Sequence, residues 1–168
     1  TLISGRMKEK VVIVTGASRG IGRATAFAYA RESCHVVVVS RSAEEITRIA
    51  ADMKASYNTK TFAFPADVGD YNTIKNLGPA VMEQFGRIDI LVNNAGIGLF
   101  KNIEDATPDE MKRVVDTNLM GALYSTQSVI PFMKKQNSGH IINISSVAGR
   151  RAFAQLTTYC ATKYGLIG

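Results

Sequence analysis

The chain is poor in cysteine, with only Cys34 and Cys160. Two thiols are too few for the disulfide framework that staples small secreted folds, so both are expected to be reduced, in a cytoplasmic protein. Histidine is equally scarce, with His35 and His140 alone, and neither stands at ligand spacing from a cysteine. No metal site is therefore expected. Long apolar runs are missing too: the densest, residues 36–39 (VVVV), is far too short to span a bilayer. The first ten residues lack the apolar stretch of a signal peptide. Residues 1–6 read as leader residues ahead of Met7, a plausible natural start. No repeat, low-complexity segment or Pro- or Ser/Gly-rich linker interrupts the 168 residues, which read as one domain.

Hydrophobic residues make up 46% and charged residues 20%, ordinary for a soluble globular chain with a sizeable core. The net charge of +6 either maintains solubility or attracts an anion, such as nucleic acid or a phosphate-rich cofactor. The basic residues are scattered, with no dense run, which disfavours a specific nucleic-acid partner.

Short apolar runs alternate with longer amphipathic segments. Residues 10–15 (KVVIVT), 35–40 (HVVVVS), 60–64, 88–92 (IDILV) and 139–144 (GHIINI) read as strands. Residues 21–31, 43–54 and 72–84 read as helices, the second with Ile46, Ile49, Ala50 and Met53 at helical spacing. A long helix is predicted after Thr107, with Pro108 in its first turn, reaching Lys135. It carries Met111, Val115, Leu119, Ala122, Thr126, Val129 and Met133 along one face. A last helix is predicted to start near Leu156. Strands that are apolar at consecutive positions suit a parallel sheet covered on both faces, and strict alternation with helices gives a doubly wound, Rossmann-like α/β fold.

Between the first strand and helix stands Thr15-Gly16-Ala17-Ser18-Arg19-Gly20-Ile21-Gly22. Glycines there permit a tight turn and close approach of backbone to a phosphate, and the helix N-terminus offers unpaired N–H groups to a pyrophosphate. At the end of the second strand an acidic residue would bind the ribose 2′-hydroxyl of NAD, but this chain has Ser40 and Arg41. Arg41, with Arg19 from the glycine loop, either sits solvated at the surface or holds the 2′-phosphate of NADP(H) in an arginine fork; the second reading is adopted.

Tyr159 and Lys163, four apart on a helix, share a face, and Ser145 and Ser146 follow the fifth strand, where doubly wound sheets bind ligands. Together, Thr15 to Gly22, Asp67-Val68, Asn93-Asn94-Ala95-Gly96, Asn118, Ser146 and Tyr159-Cys160-Ala161-Thr162-Lys163 resemble the short-chain dehydrogenase/reductase family in order and spacing, most closely its β-ketoacyl carrier-protein reductases. The resemblance runs from about Met7 to the last residue. It implies hydride transfer between NADP(H) and a small-molecule carbonyl or secondary alcohol. Tyr159 would be the general acid or base. A free tyrosine keeps its proton to about pH 10, so Lys163 would be needed to stabilise the phenolate, and would also hold the nicotinamide ribose. Ser146 would orient the substrate oxygen, with Ser145 the alternative. Asn118 would hold a proton-relay water, unless it is an exposed helix asparagine. Gly16, Ser18, Arg19, Gly20, Ile21, Gly22, Ser40, Arg41, Asp67, Val68, Asn94, Ala95 and Gly96, with Tyr159 and Lys163, would line the cofactor site. Asp67 would bind the adenine amino group, cap the next helix, or both.

Two departures from the family stand out. The first helix ends in Glu32-Ser33-Cys34 where the family usually has glycine. The chain also stops five residues after Lys163, whereas family members continue through further strands and a substrate loop, so the resemblance implies a fold cut before its last strands. A catalytically incomplete NADP(H)-binding or sensor protein on the same fold is therefore the alternative reading. For the complete enzyme the resemblance implies a homodimer or homotetramer. Val129, Ile130, Phe132 and Met133 are candidates for that surface, or equally for the interior. Residues 98–100 and 148–156 are expected at the substrate entrance, where Arg150 and Arg151 could meet an anionic acyl carrier.

Overall fold

A computed structural model describes residues 7–168; the leader read at residues 1–6 lies outside the described residues. The elements run β1 (Val11–Thr15), α1 (Gly20–Arg31), β2 (His35–Ser40), α2 (Ala43–Tyr57), β3 (Thr61–Pro65), α3 (Tyr71–Ile74), α4 (Leu77–Phe85), β4 (Ile90–Asn93), α5 (Pro108–Val115), α6 (Gly121–Lys135), β5 (His140–Asn143) and α7 (Thr157–Gly165). The five strands form one parallel sheet in the order β3-β2-β1-β4-β5.

The valine-rich strands are buried because each face of the sheet has its own cover. Val11, Ile13, Val37 and Val39 face Ile74, Leu77, Val81, Val129 and Met133 of α3, α4 and α6. Val12, Val14, Val36 and Val38 face Ala26, Ala30, Ile46, Ile49 and Met53 of α1 and α2. Each fully buried aliphatic side chain contributes roughly 1.5–3 kcal/mol, so these two layers are the main source of stability. Val129 and Met133 are thereby committed to the interior, and Phe132 packs partly against the same layer. Among the described residues no helix is long and apolar enough to cross a membrane.

Two predicted helices differ in the structure. The segment 72–84 is two helices, with Asp70 capping α3 by accepting from Asn72 N–H at 3.0 Å. The long helix 108–135 is interrupted by a π-helical turn at Asp116–Met120, between α5 and α6. Its start is sharp: Thr107 and Glu110 cap each other reciprocally, with Pro108 in the first turn. The wider π turn rotates the buried face. Val114 and Asn118 are buried before and within it, and the small residues Gly121, Ser125 and Ser128, with Val129 and Met133, after it. A single stripe through Val115, Leu119 and Ala122 therefore does not form, and those three are only half-buried.

Helix α1 ends without glycine, and Ser33 adopts the left-handed conformation that glycine would occupy, at φ +63°. Its N–H still bonds to Ala30 O at 3.0 Å, and Cys34 N–H to Tyr29 O at 3.1 Å, so the usual helix stop is built with a strained residue.

Candidate functional site: a nucleotide cleft and a Tyr–Lys helix

The strand order reverses between β1 and β4, where a doubly wound sheet opens a crevice at the strands' carboxyl ends. A cleft of about 630 Å³ lies there. Its walls include every residue expected to line the cofactor site except Tyr159 and Lys163: Gly16, Ser18, Arg19, Gly20, Ile21, Gly22, Ser40, Arg41, Asp67, Val68, Asn94, Ala95 and Gly96. Ser42, Glu45, Ala66, Ile97 and Thr117 complete it and were not foreseen.

The glycine loop works as a cradle because its backbone takes shapes that other residues adopt only at a cost. Gly16 and Gly20 have φ of +65° and +55°. A side chain at Gly22 would run into Gly16 O and Asn94 Nδ2, so α1 can approach the loop only through glycine. No side chain caps the N-terminus of α1 and no acidic residue occupies its first turn, leaving its amides available to an anion. The loop is braced from β4. Asn94 N–H and Ala95 N–H both donate to Thr15 Oγ1 at 3.1 Å, and Asn94 Nδ2 donates to Thr15 O at 2.9 Å. Thr15 opens the glycine motif in the sequence but was given no role of its own; one hydroxyl at a strand end gives no spacing signal.

At the adenosine end, the hydroxyl oxygen of Ser40 is buried without a protein partner. Asp67 does not cap α3, which Asp70 does. Its Oδ1 accepts from Gly69 N–H at 3.0 Å, and its Oδ2 stands 3.9 Å from Arg41 Nη1. An orphaned hydroxyl, two arginines and an uncapped helix start fit a phosphorylated dinucleotide.

The second cluster sits beside Gly96. A Cβ built there would lie 3.5 Å from Asn118 Oδ1 and 3.6 Å from Lys163 Nζ. Asn118 is buried, not an exposed helix residue. Its amide accepts from Ile97 N–H at 2.8 Å and donates to Ile97 O at 2.9 Å and to Thr162 Oγ1 at 3.2 Å. The π turn thus holds the loop after β4 and the helix α7 together. On α7, Lys163 is 4% exposed, and its ammonium donates to Ile144 O at 2.8 Å and lies 5.7 Å from the Tyr159 ring centroid. Burial pushes its pKa below that of an ordinary lysine. The two serines differ in their duties. Ser145 Oγ donates to Lys163 O at 2.9 Å, while Ser146 Oγ accepts from Ala148 N–H at 3.2 Å, which leaves its proton uncommitted among the described contacts.

A parallel sheet with a glycine-cradle cleft at its switch point is the arrangement in which doubly wound α/β proteins hold a dinucleotide. The short chain dehydrogenase family matches residues 10–168, and the chain belongs to it. It is 36% identical over 167 residues to a sepiapterin reductase of Chlorobaculum tepidum, covering 95% of this chain and 68% of that protein. It is 31% identical to an NADP-dependent 3-hydroxy acid dehydrogenase of Schizosaccharomyces pombe, covering 96% of this chain and 63% of that one. Among solved structures, a metagenomic short-chain oxidoreductase in complex with NADP superposes with a TM-score of 0.91 at 33% identity, covering 96% of this chain and 73% of that one. An NAD+-bound xylitol dehydrogenase does so with a TM-score of 0.91 at 30% identity, covering 96% and 62%. The chain thus spans about two thirds of the length of these proteins.

Proposed function

We propose that the chain is the cofactor-binding and catalytic portion of an NADPH-dependent reductase of carbonyl compounds, or dehydrogenase of the matching secondary alcohols. The observation that carries this reading is the buried Lys163 ammonium beside Tyr159, one glycine away from the nucleotide cleft. When bound, the cofactor supplies the hydride that adds to the carbonyl carbon.

The protein's part is positioning and proton transfer. Tyr159, half-buried at the start of α7, gives its proton to the substrate oxygen during reduction. The Lys163 ammonium favours the phenolate that remains. Ile144 O holds that ammonium, and Asn118 fixes the loop against which it packs. Ser146 keeps its proton and donates a hydrogen bond to the substrate oxygen, while Ser145 is engaged in anchoring α7.

Arg19, Arg41 and the orphaned Ser40 hydroxyl support NADP(H) over NAD(H), with Arg41 on the 2′-phosphate and Asp67 on the adenine amino group. A carrier-bound acyl substrate, suggested by the resemblance to the β-ketoacyl carrier-protein reductases, would be met by the exposed Arg150 and Arg151. Leu123 on α6 exposes apolar surface that supports homo-oligomerisation.

The test is NADPH oxidation followed at the nicotinamide absorbance with a panel of ketones, beside direct NADPH and NADH titrations. Oxidation with at least one ketone and tighter NADPH binding support the reading. NADPH binding with no oxidation by any carbonyl favours a binding or sensor protein on this fold, and absence of binding removes both.

A further inference from the structure

We infer that Asp67 tunes cofactor affinity by competing with the 2′-phosphate for Arg41. The inference rests on the NADP(H) reading above, and adds a role that the adenine contact alone does not give Asp67.

The lining of the cleft carries two cations, Arg19 and Arg41, against two anions, Glu45 and Asp67. The formal charge of this lining is balanced, and of its two arginines Arg41 is the one that faces a carboxylate among the described residues. Arg41 and Asp67 already face each other across the cleft, Nη1 to Oδ2, at 3.9 Å. The two partners are not equally free. Asp67 is pinned, because its other oxygen accepts from Gly69 N–H at 3.0 Å. Arg41 shows no side-chain hydrogen bond of its own among the described residues, and it makes one long contact instead of a two-pronged fork.

That geometry makes the pair a reversible clasp. Its side chains are 56% and 45% exposed, the range in which ion pairs hold weakly and exchange readily. A 2′-phosphate offers several strong acceptor oxygens in place of one distant carboxylate oxygen, so Arg41 is the partner that swings. Asp67 Oδ2 is then released toward the adenine. The carboxylate therefore lowers the affinity that Arg41 would otherwise give the phosphate, and keeps binding reversible.

A double-mutant cycle on binding of 2′,5′-ADP, followed by titration calorimetry, tests this. Asp67→Asn is measured in the unaltered chain and in the Arg41→Ala background. Loss of the adenine contact and general charge relief occur in both backgrounds and cancel in the comparison. The expected result is that Asp67→Asn acts about two- to five-fold more favourably on 2′,5′-ADP binding when Arg41 is present. Equal effects in both backgrounds, or a less favourable effect with Arg41 present, overturn the inference. Asp67→Ser repeats the cycle if the asparagine variant melts early. 5′-AMP separates the two levels of the argument. An unaltered chain that binds 2′,5′-ADP no better than 5′-AMP overturns the NADP(H) reading and this inference with it, whereas a clear preference with no coupling overturns the inference alone.

Discussion

Lys163 Nζ donates to Ile144 O at 2.8 Å, tying the ammonium on α7 to the carbonyl one residue beyond β5. The lysine is thereby held by the sheet and not only by its own helix. Its charge stands 5.7 Å from the Tyr159 ring centroid, in a buried setting where charge is costly and so acts strongly on its neighbour.

Replacing Tyr159 by Phe removes the transferable proton and keeps the ring. Turnover is expected to fall at least about a hundred-fold, with NADPH affinity changed little. Steady-state kinetics beside a binding titration checks this; near-normal turnover would sink the catalytic assignment.

Asn118→Ala leaves Ile97 N–H and Ile97 O without their partner in a part-buried place, while Thr162 Oγ1 keeps its bond to Tyr159 O at 2.8 Å. The expected cost is roughly 2–4 kcal/mol of stability, read from denaturant unfolding. An exposed helix asparagine would cost only a few tenths.

Gly22 and Gly20 separate two kinds of glycine. At Gly22 a methyl group would collide with Gly16 O and Asn94 Nδ2, whereas at Gly20 it would meet open space but at φ +55°. Gly22→Ala should displace the cradle and weaken NADPH binding by at least about ten-fold, through overpacking against backbone. Gly20→Ala should cost about 1–2 kcal/mol of stability with a smaller effect on binding. Thermal melts with parallel NADPH titrations distinguish the two.

Asp89, before β4, is a buried carboxylate. It is held by Lys10 Nζ at 2.9 Å, by Val11 N–H at 2.9 Å, and by Arg87 Nε and Nη2 at 2.8 and 2.7 Å. Burial raises its pKa, but the bonds from Arg87, Val11 and Lys10 together outweigh this and leave it lowered. A depressed folded value stabilises the protein above the unfolded carboxylate range, near pH 4, and this stability is lost as pH falls through the folded value. Asp89→Asn should cost about 1–3 kcal/mol at pH 7, discounted because Lys10 and Arg87 are partly exposed, and this deficit should shrink toward pH 3. Melting curves from pH 7 to 3 provide the check, and a deficit independent of pH would show that the charge is not the cause.

Ser33→Gly should stabilise the chain by about 0.5–1 kcal/mol, because glycine takes φ +63° without the penalty that serine bears. Chemical denaturation measures it, and a loss of stability would mean that the serine side chain has a compensating contact.

The strands were legible because consecutive valines cannot be hidden except in a sheet covered twice, and the structure places β1, β2 and β3 within one residue of their expected bounds. The glycine loop and Ser40-Arg41 were legible because they stand at strand ends, which the topology gathers on one edge, whereas Asp67-Val68 came only through the family resemblance. Helical periodicity could not reveal the π turn, since one extra residue per turn leaves the local composition unchanged. It therefore put Val115, Leu119 and Ala122 on one face with Val129 and Met133, and left the burial of Asn118 open. Contacts that join distant segments, such as Asp67 with Arg41, or Thr15 with Asn94 and Ala95, depend on register between strands far apart in the chain and leave no local trace.

Because Thr15 Oγ1 receives the amides of both Asn94 and Ala95, the first two residues past β4 share a single lock. Their hydrogens should exchange with solvent through one opening event, with matched protection factors, although they belong to different peptide groups. That event also frees the floor of the glycine loop, so the slowest amides beyond β4 report how often the phosphate cradle comes apart.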